Sequence, residues 1–193
     1  MSPSERPTQF GRIHPPDEAW LARQPPEPIL EPDLPIIDTH HHLWDRGGHR
    51  YFLPDFLADA AIGGVLGYGA YAGRQKEVFA AWKPRIEELA ACPNVVVKLG
   101  GMMMRLAAFD YRTAPRPPAS AELAALWRPY METCIERFGA DRCMFESNFP
   151  VDKMGIGWAG LWNALKRIAG GASAAGKQAM FSGTARRVYR LDT

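Results

Sequence analysis

The chain has 193 residues, with 23 Lys and Arg against 21 Asp and Glu, a formal net charge of +2, and 47% hydrophobic residues. That balance suits a globular domain with its own core, and the basic residues form no long block, so a nucleic-acid partner is not expected. No stretch near 20 apolar residues and no N-terminal apolar h-region occur, so neither a membrane partner nor secretion is expected.

Residues 1–33 carry Pro3, Pro7, Pro15, Pro16, Pro25, Pro26, Pro28 and Pro32, which remove backbone donors and hold the chain extended. They read as an arm separate from the domain at 34–193, with one helical turn over Glu18–Arg23 and Trp20 and Leu21 as anchors. Leu34 to Ile37 read as a short buried strand, and Asp38-Thr39-His40-His41-His42 follow where it would end. Alternate strand side chains share a face, so Asp38, His40 and His42 point one way and His41 the other. Two imidazoles on one face can grip a divalent cation. The loop Trp44-Asp45-Arg46-Gly47-Gly48-His49-Arg50-Tyr51 then offers Trp44, Arg50 and Tyr51 as substrate contacts, and His49 as a weaker candidate ligand.

Gly63, Gly64, Gly67, Gly69 and Gly73 fit neither GxGxxG nor GxxxxGK[ST], so a flexible connection accounts for them better than a phosphate loop. From Arg74 to Ala91 the apolar residues fall at helical spacing, with Pro84 as a kink or boundary. Asn94 to Leu99 contain three successive valines and read as a strand buried on both faces, in which Lys98 is assigned a structural role. Met102, Met103 and Met104 read as packing, and Arg105 as a holder of a substrate carboxylate. Ser120 looks like an N-cap for a helix that runs to Phe138, bent at Pro129 and stopped by Gly139. Arg142 to Phe145 read as the last strand, ending in Glu146-Ser147-Asn148-Phe149-Pro150-Val151-Asp152. Three helices follow, over Gly157–Ala169, Ser173–Phe181 and Thr184–Leu191. Cys92, Cys134 and Cys143 form no CxxC pair, so reduced thiols in a cytoplasmic protein are expected.

The pattern Ile37-Asp38-x-His40-x-His42-Leu43-Trp44-Asp45 resembles the first strand of the amidohydrolase superfamily, in the amidohydrolase-related (amidohydrolase 2) branch that includes sugar-acid and aromatic-acid lactonases. Pro35 to Ala58 resembles the opening of such proteins, Gly63 to Gly101 a mid-chain stretch, and Pro129 to Leu191 the closing portion. The resemblance implies an α/β fold, the (β/α)8 TIM barrel. Such a barrel takes about 250 residues. Residues 34–193 have room for about five units at roughly 30 residues per βα repeat. The barrel is therefore expected to be incomplete, lacking several middle βα units, with an internal deletion near residues 59 to 63.

The family's last strand commonly ends Gly-Ser-Asp-Trp-Pro, and its Asp is a catalytic base or metal ligand. Here that position is Asn148, whose amide has no basic lone pair at neutral pH. Glu146 and Asp152 are the candidates to supply the missing charge. The resemblance also implies a divalent metal, zinc or manganese, on His40 and His42. Catalytic zinc usually takes three protein ligands, so with two that site is incomplete. The first functional reading is a hydrolase that uses activated water on a small-molecule substrate, a lactone or other cyclic ester or amide bearing a carboxylate. The second is an impaired remnant of the family that acts, if at all, through homo-oligomer contacts along open strand edges.

Overall fold

In the computed structural model, residues 17–40, 74–103, 114–149 and 151–191 are described, and a pair of parallel strands flanked by helices lies at their centre. Helix α1 (Glu18–Leu21) is followed by the extended run 34–40, then α2 (Gln75–Ala90), β1 (Val97–Leu99), α3 (Ser120–Phe138) and β2 (Cys143–Phe145). Helices α4 (Trp158–Ile168), α5 (Ala174–Gln178) and α6 (Thr184–Tyr189) close the chain, with a single wide turn at Ala179–Gly183 between the last two. β1 and β2 pair in parallel with Val97 opposite Cys143, Lys98 opposite Met144 and Leu99 opposite Phe145. Because α3 connects them, they form a βαβ unit, the repeating element of α/β barrels.

The two faces of this pair differ. Leu99, Cys143 and Phe145 belong to the apolar core, with Val95 and Val97 packed on it, whereas Val96 and Lys98 are exposed. The expectation of a strand buried on both faces is corrected accordingly: Val96 and Lys98 are exposed, and among the described residues helices cover only one face of β1. That cover comes from α3, joined on β2 by the 179–183 turn, and α3 and α4 pack on each other with Leu123, Trp127, Met131, Leu161, Leu165 and Ile168 buried in one core. Burial of each such side chain contributes about 1.5–3 kcal/mol, so this layer supplies much of the driving force for folding. Helix α2 joins through an aromatic cluster in which the Tyr130 ring lies 5.1 Å from that of Phe79 and 5.3 Å from that of Trp82. Arg142 then ties the ends together: its guanidinium donates to the carbonyls of Ala90 and Phe138, at 3.0 and 2.9 Å, in the last turns of α2 and α3. Those carbonyls lack helical partners, so one cation satisfies both helix ends.

Pro84 and Pro129 both lie inside continuous helices, so Pro84 marks no boundary. Two further local expectations need correction. The N-cap of α3 is Ala119, not Ser120; Glu122 reaches back to accept from the Ala119 N–H at 2.6 Å. Ser120 is instead captured by the arm, since its N–H donates to Glu27 at 2.7 Å and its hydroxyl donates to the same carboxylate. Finally, Leu34, Ile36 and Ile37 are half-buried, Pro35 is exposed, and the run carries no regular ladder among the described residues. Their run is fixed by single bonds, Ile37 N–H to Phe181 O at 2.8 Å and Asn148 N–H to His40 O at 2.8 Å. The second of these sets residues 38–40 beside the end of β2, on the side away from β1.

Trp20 and Leu21 do anchor the arm, the first by donating from Nε1 to Ala114 O at 2.9 Å and the second by burial. Further along, buried Asn163 of α4 accepts from Leu30 N–H and donates to Pro28 O, both at 2.8 Å, and buried Lys166 donates to the carbonyls of Leu30 and Glu31. A proline-rich segment has few donors of its own, so side chains from α4 fill its polar needs. Asn163→Ala, which strips a partner from two backbone groups at once, is expected to cost about 1–3 kcal/mol. Urea unfolding checks this, and an unchanged midpoint would mean that the arm adds nothing to stability. No helix among the described residues is long and apolar enough to cross a membrane.

Candidate active site

The carboxyl ends of β1, β2 and the 34–40 run meet at one place, and polar side chains from all three converge there. Glu146, the residue after β2, is buried, with its side chain only 8% exposed. Its Oε1 lies 3.0 Å from His40 Nδ1, and its Oε2 lies 2.8 Å from Lys98 Nζ. The lysine contact is a close ion pair whose angle is not that of an aligned hydrogen bond. His40 and Lys98 are about one third exposed, so they reach the accessible surface while the carboxylate between them sits beneath it. Glu146 fits tightly against β1: a Cβ on Gly100 would stand 2.3 Å from Glu146 Cγ and 2.6 Å from its carbonyl oxygen. Glycine at 100 is therefore what lets this carboxylate lie across the strand pair.

Asp38 fixes the other side. Its carboxylate accepts from Ser147 N–H at 2.9 Å, from the Ser147 hydroxyl, and from His40 N–H at 3.2 Å. Asp38 and His40 both reach the end of β2, at Ser147 and Glu146 respectively. Asn148 has φ +54°, a left-handed conformation that asparagine adopts more readily than most residues. From there its Nδ2 donates to Asp152 Oδ1 at 2.8 Å. Asp152 is almost wholly buried, and its Oδ2 has no hydrogen-bond partner among the described residues. Burial pushes the Asp152 carboxyl up to about 7; the Asn148 bond and the Met103 backbone pull it down, and the nearby Glu146 charge raises it further.

Of the residues singled out from the sequence, His40, Glu146, Asn148 and Asp152 thus come together. Trp44, Arg50, Tyr51, Arg105, His42 and His49 lie outside the described residues. Lys98, assigned a structural role from the sequence, pairs opposite Met144, two residues before Glu146, so its side chain shares the face on which Glu146 emerges and the two form an ion pair. A lysine inside a valine-rich parallel strand was the available signal. Ser147 and Gly100 act by position, as a bond donor and as a gap, and carry no motif of their own.

Two parallel strands joined through a helix, with polar groups gathered at their carboxyl ends, form an α/β unit of the kind from which TIM-type barrels are built. The family model described as Amidohydrolase matches residues 63–191, and the chain belongs to that family, in its lactonase-like branch. It is 35% identical over 113 residues to an uncharacterised protein, y4mH, of Sinorhizobium fredii, covering 58% of this chain and 34% of that one. An L-fucono-1,5-lactonase of Burkholderia multivorans is 31% identical over 119 residues, covering 61% of this chain and 38% of the relative. Another, from Burkholderia ambifaria, is 28% identical over 187 residues, 91% of this chain and 58% of its own length. A crystal structure of a Burkholderia multivorans amidohydrolase with bound zinc matches with a TM-score of 0.50 at 30% identity, over 59% of this chain and 38% of that one. The chain spans less than two thirds of each curated relative.

The zinc held by that neighbour finds a poor donor set here. His40 Nδ1 is engaged by Glu146, position 148 carries an amide whose nitrogen donates to Asp152, and an ammonium stands against the nearest carboxylate. No group of three His, Cys, Asp or Glu side chains able to hold a metal occurs among the described residues.

Proposed function

We propose that the chain is a hydrolase that opens a lactone, or another cyclic ester or amide, bearing a carboxylate, by attack of an activated water. The single observation that carries this reading is the buried Glu146 carboxylate shared between His40 and Lys98 at the strand ends. The lactonase names of two relatives support the substrate class. With Nδ1 donating to Glu146, the imidazole lone pair is on Nε2, the arrangement of a general base held by a carboxylate. The water oxygen bonds to the carbonyl carbon as its proton passes to His40. The Lys98 ammonium steadies the charge that develops on the carbonyl oxygen. The ring C–O bond then breaks, and the leaving oxygen takes the proton back from His40 to give the hydroxy acid. Asn148 and Asp152 brace the loop that follows β2, and Arg105, Arg50, Trp44 and Tyr51 are the proposed contacts to the substrate's carboxylate and ring.

We also take the barrel to be incomplete, lacking middle βα units. The support is that an alignment over 91% of this chain accounts for only 58% of the Burkholderia ambifaria lactonase. The test of function is a panel of sugar-acid and aromatic-acid lactones followed by the acid they release, with His40→Ala as control. Turnover above buffer that is lost in the variant is expected; no turnover on any member of the panel would sink the reading.

A further inference from the structure

We propose that Lys98 is a built-in cation that keeps zinc out of the site. The inference concerns the same cluster as the proposed hydrolase and rests on that reading only in taking the cluster as the site.

A divalent ion near these strand ends would be drawn first to the buried Glu146 carboxylate, which lies against the His40 ring. Two features of β1 forestall this. The absent Cβ at Gly100 lets Glu146 lie against β1, and Lys98, two residues earlier on the same strand, sets its ammonium 2.8 Å from Oε2. The carboxylate's charge is thereby neutralised from within the chain, and a dication approaching Glu146 would meet a like charge at short range. The neighbouring groups do not offset that repulsion. Asp38 is committed to Ser147 and Asp152 is buried beneath Asn148, so neither carboxylate faces the ion. Nor does position 148 supply an anionic ligand, since its side chain is an amide. The strand ends thus present a cationic and a neutral group, Lys98 and Asn148, beside the Glu146 carboxylate.

Calorimetric titration of zinc alone into dialysed full-length protein tests this with no substrate present, so the outcome is independent of whether any lactone is cleaved. Lys98→Met is expected to bind zinc about tenfold or more tightly than the wild type, because removal of one unit charge beside a dication is worth at least that much even in a well-screened setting. The gain is expected to vanish in Lys98→Met/Glu146→Gln, which removes the carboxylate, and to be absent in Lys98→Arg, which keeps the charge. Lys98→Gln serves in the same titration should the methionine variant not fold. Equal zinc affinity in wild type and Lys98→Met, a gain that survives loss of Glu146, or wild-type protein already saturated by equimolar zinc would each overturn the proposal.

Discussion

Glu146→Gln is expected to lower turnover of the substrate by roughly 10²- to 10³-fold while leaving the fold in place. The carboxylate accepts from His40 on one oxygen and is ion-paired with the Lys98 ammonium on the other. An amide of the same shape has one accepting oxygen and one donating nitrogen. Whichever way the glutamine turns, its –NH2 faces either the imidazole N–H or the lysine ammonium, donor against donor. The base then loses its preferred tautomer or the ammonium loses its anchor, and the groups that would meet substrate are misplaced. Packing is nearly unchanged by the substitution, so circular dichroism is expected to match the wild type. The check is kcat/KM on the best lactone of the panel; undiminished turnover would remove Glu146 from the catalytic apparatus.

The second large effect is on stability and comes from Asp152. Its carboxyl is raised by burial to about 7 from an ordinary 3.8. Between those values the folded chain holds a proton that the unfolded chain has released, so stability falls as pH rises from about 4 to about 7 and changes little from this source above that. A shift of this size corresponds to at most about 4 kcal/mol across the window. Asp152→Asn retains an oxygen for the Asn148 Nδ2 donor and cannot ionise. Its unfolding free energy is therefore expected to be flatter between pH 4.5 and 7.5, at pH values chosen to bracket that window. Any constant cost of burying the new amide cancels when slopes are compared. Urea unfolding at several pH values measures both proteins, and parallel curves would show that another group carries the pH dependence.

Both predictions concern residues that were visible in the sequence before their arrangement was. Glu146, Asn148 and Asp152 were marked by the short strand Arg142–Phe145 and its departure from the family's usual ending, and His40 by its place behind an apolar run. The helices at 75–90, 120–138 and 158–168 were legible because apolar side chains recur along them at helical spacing, which depends on neighbours within a few residues. The cap of α3 was misplaced by one residue because Ser120 has a stronger claim on it locally than Ala119. Glu27, remote in sequence, takes both of its donors.

Sequence alone determined the family, the order of helices and strands, and the set of ionisable residues near the strand ends, since these follow from residue identity and short-range periodicity. It also determined what is missing, a carboxylate at position 148. The tertiary structure decided which groups meet. Lys98 was one exposed cation among many until the register with Met144 brought it to Glu146, and Gly100 was a strand terminator until that carboxylate was seen to need its empty space. The fate of Asp152 was decided likewise, by the depth at which the chain buries it. Such outcomes depend on contacts between residues tens of positions apart, where the low dielectric of the interior and the exclusion of one atom by another set the chemistry, and neither is written in any local stretch of sequence.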